Sequence, residues 1–75
     1  MDYAILATLW NGPATMPEIV AAVYDRMGRP VSPSLVDSYL RMLERGGFIE
    51  RPSDRSFYKI AERGSLYLAN TALTA

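Results

Sequence analysis

The 75-residue sequence contains no cysteine and no histidine. The lack of cysteine excludes disulfide bridges within the chain, a thiol nucleophile and thiolate ligands for zinc. The lack of histidine removes the commonest general base and the commonest protein ligand of metal ions. The sequence also has no paired carboxylates, no phosphate-binding glycine loop and no nucleophile–base pair. We therefore expect a protein that is not an enzyme and that binds neither a metal ion nor a cofactor.

Long apolar segments are missing as well. No run approaches the roughly 20 apolar residues of a membrane-spanning helix, and the opening Met1-Asp2 does not resemble a signal peptide. We therefore expect a cytoplasmic protein that does not enter a membrane. The length of 75 residues indicates one small domain over residues 1–75. A chain of this size buries only about 60–65% of its unfolded surface.

Neither charge is in excess, because eight acidic residues balance eight basic ones and the net charge is zero. This balance weakens a nucleic-acid interpretation, since DNA-binding domains usually carry a basic surplus. The charges are not spread evenly, however, and positions 37–63 hold six basic residues against five acidic ones. This local excess of one predicts a modest DNA affinity for each subunit.

The stretch Ser32–Glu50 is the most informative part of the sequence. Ser32 can cap a helix over residues 33–45, in which Pro33 takes the first position and two glycines follow the last. One face is apolar at helical spacing, with Leu35, Val36, Tyr39, Leu40, Met42 and Leu43. The opposite face is polar, with Ser34, Asp37, Ser38, Arg41, Glu44 and Arg45. A one-sided helix that turns through glycine into a strand at 48–51 is typical of a winged helix-turn-helix.

Two further helices precede this one. The first is predicted over Tyr3–Trp10, with Asp2 as its cap and an inner face of Ile5, Leu6, Leu9 and Trp10. The second is predicted from the capping-box pattern Thr15-Met16-Pro17-Glu18 to about Met27, with an apolar stripe of Ile19, Val20, Val23, Tyr24 and Met27. The connection 28–31 is short enough to hold the second helix and helix 33–45 in a helix-turn-helix arrangement.

The C-terminal third predicts a wing and a last helix. Strands at 48–51 and 57–60 flank the polar turn Pro52–Ser56. Ile49, Tyr58 and Ile60 are candidate core residues, and Phe57 is expected to be exposed. The last helix, from Glu62 to about Leu73, is slightly weakened by Gly64. The predicted fold is therefore mainly α (α+β), with three helices, a two-stranded β-wing and a C-terminal helix.

Several runs that together span nearly the whole chain carry a family resemblance. They are Ile5-Leu6 with Leu9, Gly12-Pro13, Glu18-Ile19, Ser32-Pro33-Ser34, Leu40-x-x-Leu43-x-x-x-Gly47-Phe48-Ile49-Glu50 and Tyr58-Lys59-Ile60-Ala61-Glu62-Arg63-Gly64. The chain resembles the PadR and MarR groups of winged-helix transcriptional regulators and the small winged-helix repressors of archaea and their viruses. The resemblance implies a dimeric repressor with helix 33–45 in the major groove and the 52–56 wing beside the minor groove. Ala61 stands where such proteins commonly carry a threonine N-cap.

The polar stripe of helix 33–45 and the wing supply the candidate DNA contacts. Arg41 can make a bidentate contact with guanine O6 and N7. Asp37 would repel phosphate unless it accepts from a cytosine amino group or pairs with Arg41 one turn further on. The predicted DNA-binding residues are Ser32, Ser34, Asp37, Ser38, Arg41, Arg51, Arg55 and Lys59.

The terminal helices carry more apolar surface than one small core should need. We therefore expect a homodimer, joined through Trp10, Leu66, Tyr67 and Leu73. Two functions remain possible on the sequence alone. The first is a sequence-specific regulator, expected to be a repressor, whose partner is double-stranded DNA. The second is a winged-helix module for protein contact, which the zero net charge and the apolar last helix favour.

Overall fold

The computed structural model describes residues 1–52 and 56–74, with side chains as far as residue 71. Over these residues the chain forms four helices and three short strands. In chain order they are α1 (Asp2–Trp10), β1 (Ala14–Thr15), α2 (Met16–Met27), α3 (Pro33–Arg45), β2 (Ile49–Glu50), β3 (Phe57–Ile60) and α4 (Glu62–Thr74). Arg55 and most of the predicted turn 52–56 lie outside the described residues, as does the side chain of Leu73.

The three strands are antiparallel, and β3 lies between β1 and β2. The pairing of β2 with residues 59–60 of β3 confirms the predicted wing, although its first strand covers Ile49–Glu50 and not 48–51. Strand β1, which pairs with residues 57–58, was not predicted. Two residues are too few to show the alternation of polar and apolar side chains that marks a strand.

One hydrophobic core connects the helices with the sheet. Its largest fully buried side chains are Ile5, Leu6, Leu9, Ile19, Val23, Val36, Leu40 and Ile49. The predicted core residue Tyr58 is also buried, whereas Ile60 and Phe57 are half-buried. Within the described part of the chain no polar or charged side chain is buried, and no helix is long and apolar enough to cross a membrane. Polar chemistry of these residues therefore takes place at the surface.

Helix α1 differs from the prediction at both ends. It begins at Asp2, whose carboxylate accepts from the N–H of Tyr3 at 2.8 Å within the first turn, and it is not capped by this residue. Trp10 was expected on the inner face, but it is 59% exposed. As the last helical residue, Trp10 lies beyond the three fully buried side chains of this helix.

Helix α2 begins at the predicted capping box. The Glu18 N–H donates to the hydroxyl of Thr15, and the Thr15 N–H donates to the carboxylate of Glu18. The helix ends at Gly28, which adopts the left-handed conformation that glycine takes most readily (φ +70°). Tyr24 and Met27, expected in the apolar stripe, are exposed. Of the stripe, Ile19 and Val23 are buried, and Val20 packs against the core while partly buried.

Helix α3 begins at Pro33 as predicted, with Ser32 at the N-cap position. The Ser32 side chain, however, makes no capping hydrogen bond. The buried stripe is narrower than the sequence pattern indicates and consists of Val36, Leu40 and Leu43. Leu35 and Met42 were expected in it but are exposed, because they lie on the flanks of this stripe.

Helix α4 packs against the junction between α3 and β2. The chain leaves α3 through Gly46 and Gly47, and the Arg63 Nη1 donates to the carbonyl oxygen of Gly46 at 2.8 Å. Gly64 is buried at the same place. A Cβ atom on it would overlap the carbonyl oxygen of Phe48. The glycine that the sequence marks as a weak point of the helix is therefore required by packing.

Candidate nucleic-acid interface

The exposed polar face of α3 borders an open groove at the start of the helix. The groove is lined by Met16, Pro33, Ser34, Asp37, Ser38 and Arg41. Four of the eight predicted contact residues are therefore brought together on one surface. Met16, the first residue of α2, also lies on this surface and was not predicted there.

Arg41 and Asp37 form an ion pair one helical turn apart, with 3.0 Å between Nε of Arg41 and Oδ2 of Asp37. This is one of the two alternatives that the sequence left open for Asp37. The Arg41 side chain is 76% exposed and that of Asp37 is 38% exposed. The guanidinium therefore extends into solvent from a carboxylate that lies closer to the helix surface.

The serines of this face differ in their hydrogen bonding. The hydroxyl of Ser38 donates to the carbonyl oxygen of Ser34 at 3.1 Å, so its proton is used within the helix and its oxygen is left to accept. In this conformation the Ser38 oxygen suits an amino group on a base edge. Ser32 is exposed but precedes the helix and does not line the groove.

The wing carries two further predicted residues, Arg51 and Lys59. Glu50 and Lys59 are opposite each other in the β2–β3 pair, and Nζ of Lys59 lies 3.5 Å from Oε2 of Glu50. The guanidinium of Arg51 lies 5.6 Å from the centroid of the Tyr58 ring, at a distance suited to a cation–π contact. Among the described residues, none of the wing lines the α3 groove. Arg55 lies outside the described residues.

A second groove runs along the outer side of α2 and is mostly apolar. It is lined by Met16, Pro17, Val20, Ala21, Tyr24, Asp25 and Pro33. This groove was not predicted, because only Val20 and Tyr24 of its residues belong to the predicted apolar stripe, and that stripe was assigned to the core. An apolar groove beside α3 is the feature expected of a protein-contact surface.

The residues expected at a dimer interface lie on α1 and α4. Trp10 and Leu66 are more than half exposed. Tyr67 is partly exposed, and its ring packs edge-on against Phe48 with 5.9 Å between the centroids. One side of Tyr67 therefore contacts its own chain. The side chain of Leu73 is not among the described ones.

The charged groups of the described chain do not assemble into a metal site. Residues 1–52 and 56–74 contain no group of three or more histidine, cysteine, aspartate or glutamate side chains that could hold a metal ion. Asp37 beside the α3 groove and Glu50 on the wing each face a cation in the pairs described above. The chemistry available here is hydrogen bonding and charge pairing at an exposed surface.

Comparisons with known proteins connect this geometry to a known architecture. No protein-family model and no curated protein matches the sequence. Among solved structures, PadR of Bacillus subtilis in complex with operator DNA matches with a TM-score of 0.78 and 21% sequence identity, over 96% of this chain and 46% of the PadR chain. The chain has a PadR-like winged-helix fold. This PadR-like fold confirms the predicted arrangement of helices and wing, and the chain spans about half the length of the PadR chain it matches.

Proposed function

We propose that the chain is a transcription regulator that binds double-stranded DNA by inserting α3 into the major groove. The observation that carries this proposal is the exposed face of α3, on which Ser34, Asp37, Ser38 and Arg41 border one open groove. In winged helix-turn-helix domains the second helix of the motif lies in the major groove, and here that helix is α3. The PadR structure of the same fold was solved with operator DNA, which supports this use of the fold.

Arg41 is the residue we assign to base recognition. Its side chain extends into solvent near the middle of the helix, where it can reach guanine O6 and N7. On the same surface, Ser38 lies one turn and Ser34 two turns nearer the start of the helix. The Ser38 oxygen can accept from an amino group on a base edge. The Ser34 hydroxyl can donate to a base edge or to a phosphate oxygen.

We assign the wing to backbone contacts. Lys59 is exposed on β3, Arg51 is exposed directly after β2, and Arg55 lies between these strands in the sequence. Contacts from a wing to phosphate or to the minor groove position the protein without reading sequence directly. Because the net charge is zero, the salt dependence of binding should be shallow, with about four to eight phosphates neutralised by two copies.

We further propose that two copies bind together and repress transcription by occupying the operator. The exposed apolar side chains of Trp10, Leu66 and Tyr67 would form the surface for a second copy, and Leu73 is assigned to it from the sequence alone. A two-fold dimer would present two α3 helices about 34 Å apart, which matches a palindromic site.

The alternative is a module that contacts another protein and does not bind DNA. The apolar groove along α2 favours it, as does the absence of net charge. On this alternative Arg41 and the wing cations would be ordinary solvated residues. The two functions therefore predict different effects of Arg41→Ala on DNA binding.

The test compares wild type, Arg41→Ala and Arg51→Ala on a duplex selected from a random pool and on an unselected duplex, across a salt series. Arg41→Ala should weaken the selected duplex by roughly 1–3 kcal/mol and the unselected one much less. Arg51→Ala should weaken both duplexes alike and lower the salt slope by about one, and Arg55→Ala should behave in the same way.

Arg45→Ala is the matched control, because Arg45 is an exposed arginine at the far end of the same helix. It should change binding to the selected duplex little. Failure of wild type to shift any duplex would support the protein-contact alternative, and so would wild-type binding by both Arg41→Ala and Arg51→Ala. Sedimentation on the same samples should show a dimer, and a monomer alone at tens of micromolar would contradict the two-copy arrangement.

A further inference from the structure

Two of the basic residues proposed to contact DNA form ion pairs with carboxylates that lie beside them on the protein surface. Arg41 pairs with Asp37 at 3.0 Å and Lys59 pairs with Glu50 at 3.5 Å. A DNA-binding face usually presents cations in excess, so acidic partners on it call for an explanation. A contribution to stability is a weak explanation, since exposed ion pairs add little to the free energy of unfolding.

The geometry of the Arg41 pair differs from that of the Lys59 pair in a way that matters for DNA. The contact with Asp37 is made at Nε, which carries one of the five N–H donors of a guanidinium. The two Nη nitrogens carry the other four, and recognition of guanine O6 and N7 needs two. Lys59 carries its three N–H donors on one nitrogen, so Glu50 and a phosphate bound by Lys59 would lie next to each other. Asp37 can therefore keep its contact while Arg41 binds a base.

The position of Asp37 in the groove also favours a lasting contact with Arg41. Asp37 is less exposed than Arg41 and lines the groove together with Met16 and Pro33. Contact at Nε restricts the rotamers of a long side chain that would otherwise lose more entropy on binding. The carboxylate thus orients the guanidinium before DNA arrives.

From this arrangement we infer that Asp37 is a specificity-determining residue, which orients Arg41 toward guanine and suppresses binding to unmatched DNA. The inference rests on the DNA-binding function proposed above. Binding to unmatched DNA comes from phosphate neutralisation and grows with the number of free cations. The negative charge of Asp37 opposes that attraction at Arg41. The pair of hydrogen bonds from Arg41 to guanine is retained on matched DNA. The ratio of specific to non-specific affinity therefore rises.

The test is Asp37→Asn, which keeps the size of the side chain and removes its charge. On an unselected duplex at 0.1 M salt the variant should bind roughly three- to eightfold more tightly per subunit, with the salt slope steeper by about one. On the selected duplex it should bind no more tightly than wild type. The specificity ratio should therefore fall by about the same factor.

Glu44→Gln is the matched control, since it removes one negative charge from the same helix two turns further on and leaves the Arg41 pair intact. It should shift both duplexes alike and preserve the ratio. The double variant Asp37→Asn/Arg41→Ala should have the same ratio as Arg41→Ala alone, because Asp37 acts through Arg41. Circular dichroism should show equal folding of all variants.

The outcomes separate this inference from the proposed function. If wild type binds no duplex selectively, the DNA-binding function is wrong and the inference falls with it. If wild type is selective but Asp37→Asn keeps its ratio, or changes it no more than Glu44→Gln does, the function stands and the inference is wrong.

Discussion

Helices α2 and α4 begin with different residues at the same two positions. At the start of α2, Thr15 is the N-cap and Glu18 stands three residues later. At the start of α4, Ala61 and Gly64 occupy the equivalent places. The Thr15 hydroxyl donates to the Glu18 carboxylate at 2.9 Å, and the Thr15 N–H donates to it at 2.9 Å. Neither alanine nor glycine has a side chain that could make such bonds.

The start of α4 is held instead by contacts with a distant part of the chain. The N–H of Ala61 donates to the carbonyl oxygen of Phe48 at 3.0 Å, and the guanidinium of Arg63 lies 4.9 Å from the centroid of the Phe48 ring. Gly64 fits directly against the same carbonyl. The start of α2 is thus stabilised locally, whereas that of α4 depends on the junction that ends α3. A change at the start of α4 should therefore affect the end of α3, the helix to which we assign DNA binding.

The largest effect is expected from Gly64→Ala. The added Cβ would overlap the carbonyl oxygen of Phe48 and lie 3.2 Å from Cδ2 of Leu6. Overpacking of this kind costs about 1–3 kcal/mol or more, and the gain in helix propensity returns only about 1 kcal/mol. Because the overlap is with a backbone oxygen, we take the upper end of the overpacking cost and expect a net loss of roughly 2 kcal/mol, which lowers the melting temperature by about 10 °C in a domain of this size. Thermal unfolding followed by circular dichroism measures it.

Gly28→Ala provides the comparison for this variant. Gly28 has φ +70° and nothing within 4 Å of an added Cβ, so its cost is conformational and about 1–2 kcal/mol. The loss of stability in Gly64→Ala arises from steric overlap and should extend to the α3–β2 junction. Hydrogen exchange of the Phe48 N–H would report this effect. A stabilised Gly64→Ala protein would show that helix propensity outweighs packing there.

The contrast between the two helix starts also explains what the sequence could and could not predict. The capping box was predictable because both partners lie within one turn. Gly64 was misread because Phe48 and Leu6 are remote in the sequence and meet it only in the folded chain. The polar face of α3 followed from helical spacing in the same way. The pairing of Lys59 with Glu50 depends on strand register, and the contribution of Met16 to the α3 groove depends on a second helix, so neither could be predicted locally.

The next effect concerns the α2 capping box and is pH-dependent. Hydrogen bonds from the backbone N–H and then the hydroxyl of Thr15 lower the pKa of Glu18 below its ordinary value. A lowered pKa in the folded state means that the ionised carboxylate stabilises the fold above the unfolded-state pKa of about 4.3. That contribution is lost as the pH falls through the folded-state value. Urea unfolding at pH 7 and pH 3 should therefore show wild type exceeding Glu18→Gln at neutral pH and converging with it in acid.

Thr15→Ala serves as the companion variant for the capping box. It removes the acceptor for the Glu18 N–H and should lower the free energy of unfolding by about 0.5–2 kcal/mol at neutral pH. Part of the pH dependence should persist in it, because the backbone N–H of residue 15 still reaches the carboxylate. A difference between wild type and Glu18→Gln that is unchanged from pH 7 to pH 3 would contradict the assignment of a lowered pKa to this hydrogen bonding.

The smallest effect is expected from Ala61→Ser, which would give α4 the side-chain cap that α2 already has. The first N–H groups of a helix lack partners within it, and a serine hydroxyl at this position can accept from the N–H of Gly64. The bond from the Ala61 N–H to Phe48 involves only the backbone and should survive. We expect a gain of about 0.5–1 kcal/mol, measured as a rise of a few degrees in melting temperature.

Ala69→Ser, at an exposed position inside the same helix, should instead lower stability slightly, since serine is a weaker helix former than alanine. If Ala61→Ser gains nothing over Ala69→Ser, the tertiary contacts at Phe48 already satisfy the start of α4, and local capping adds nothing to it.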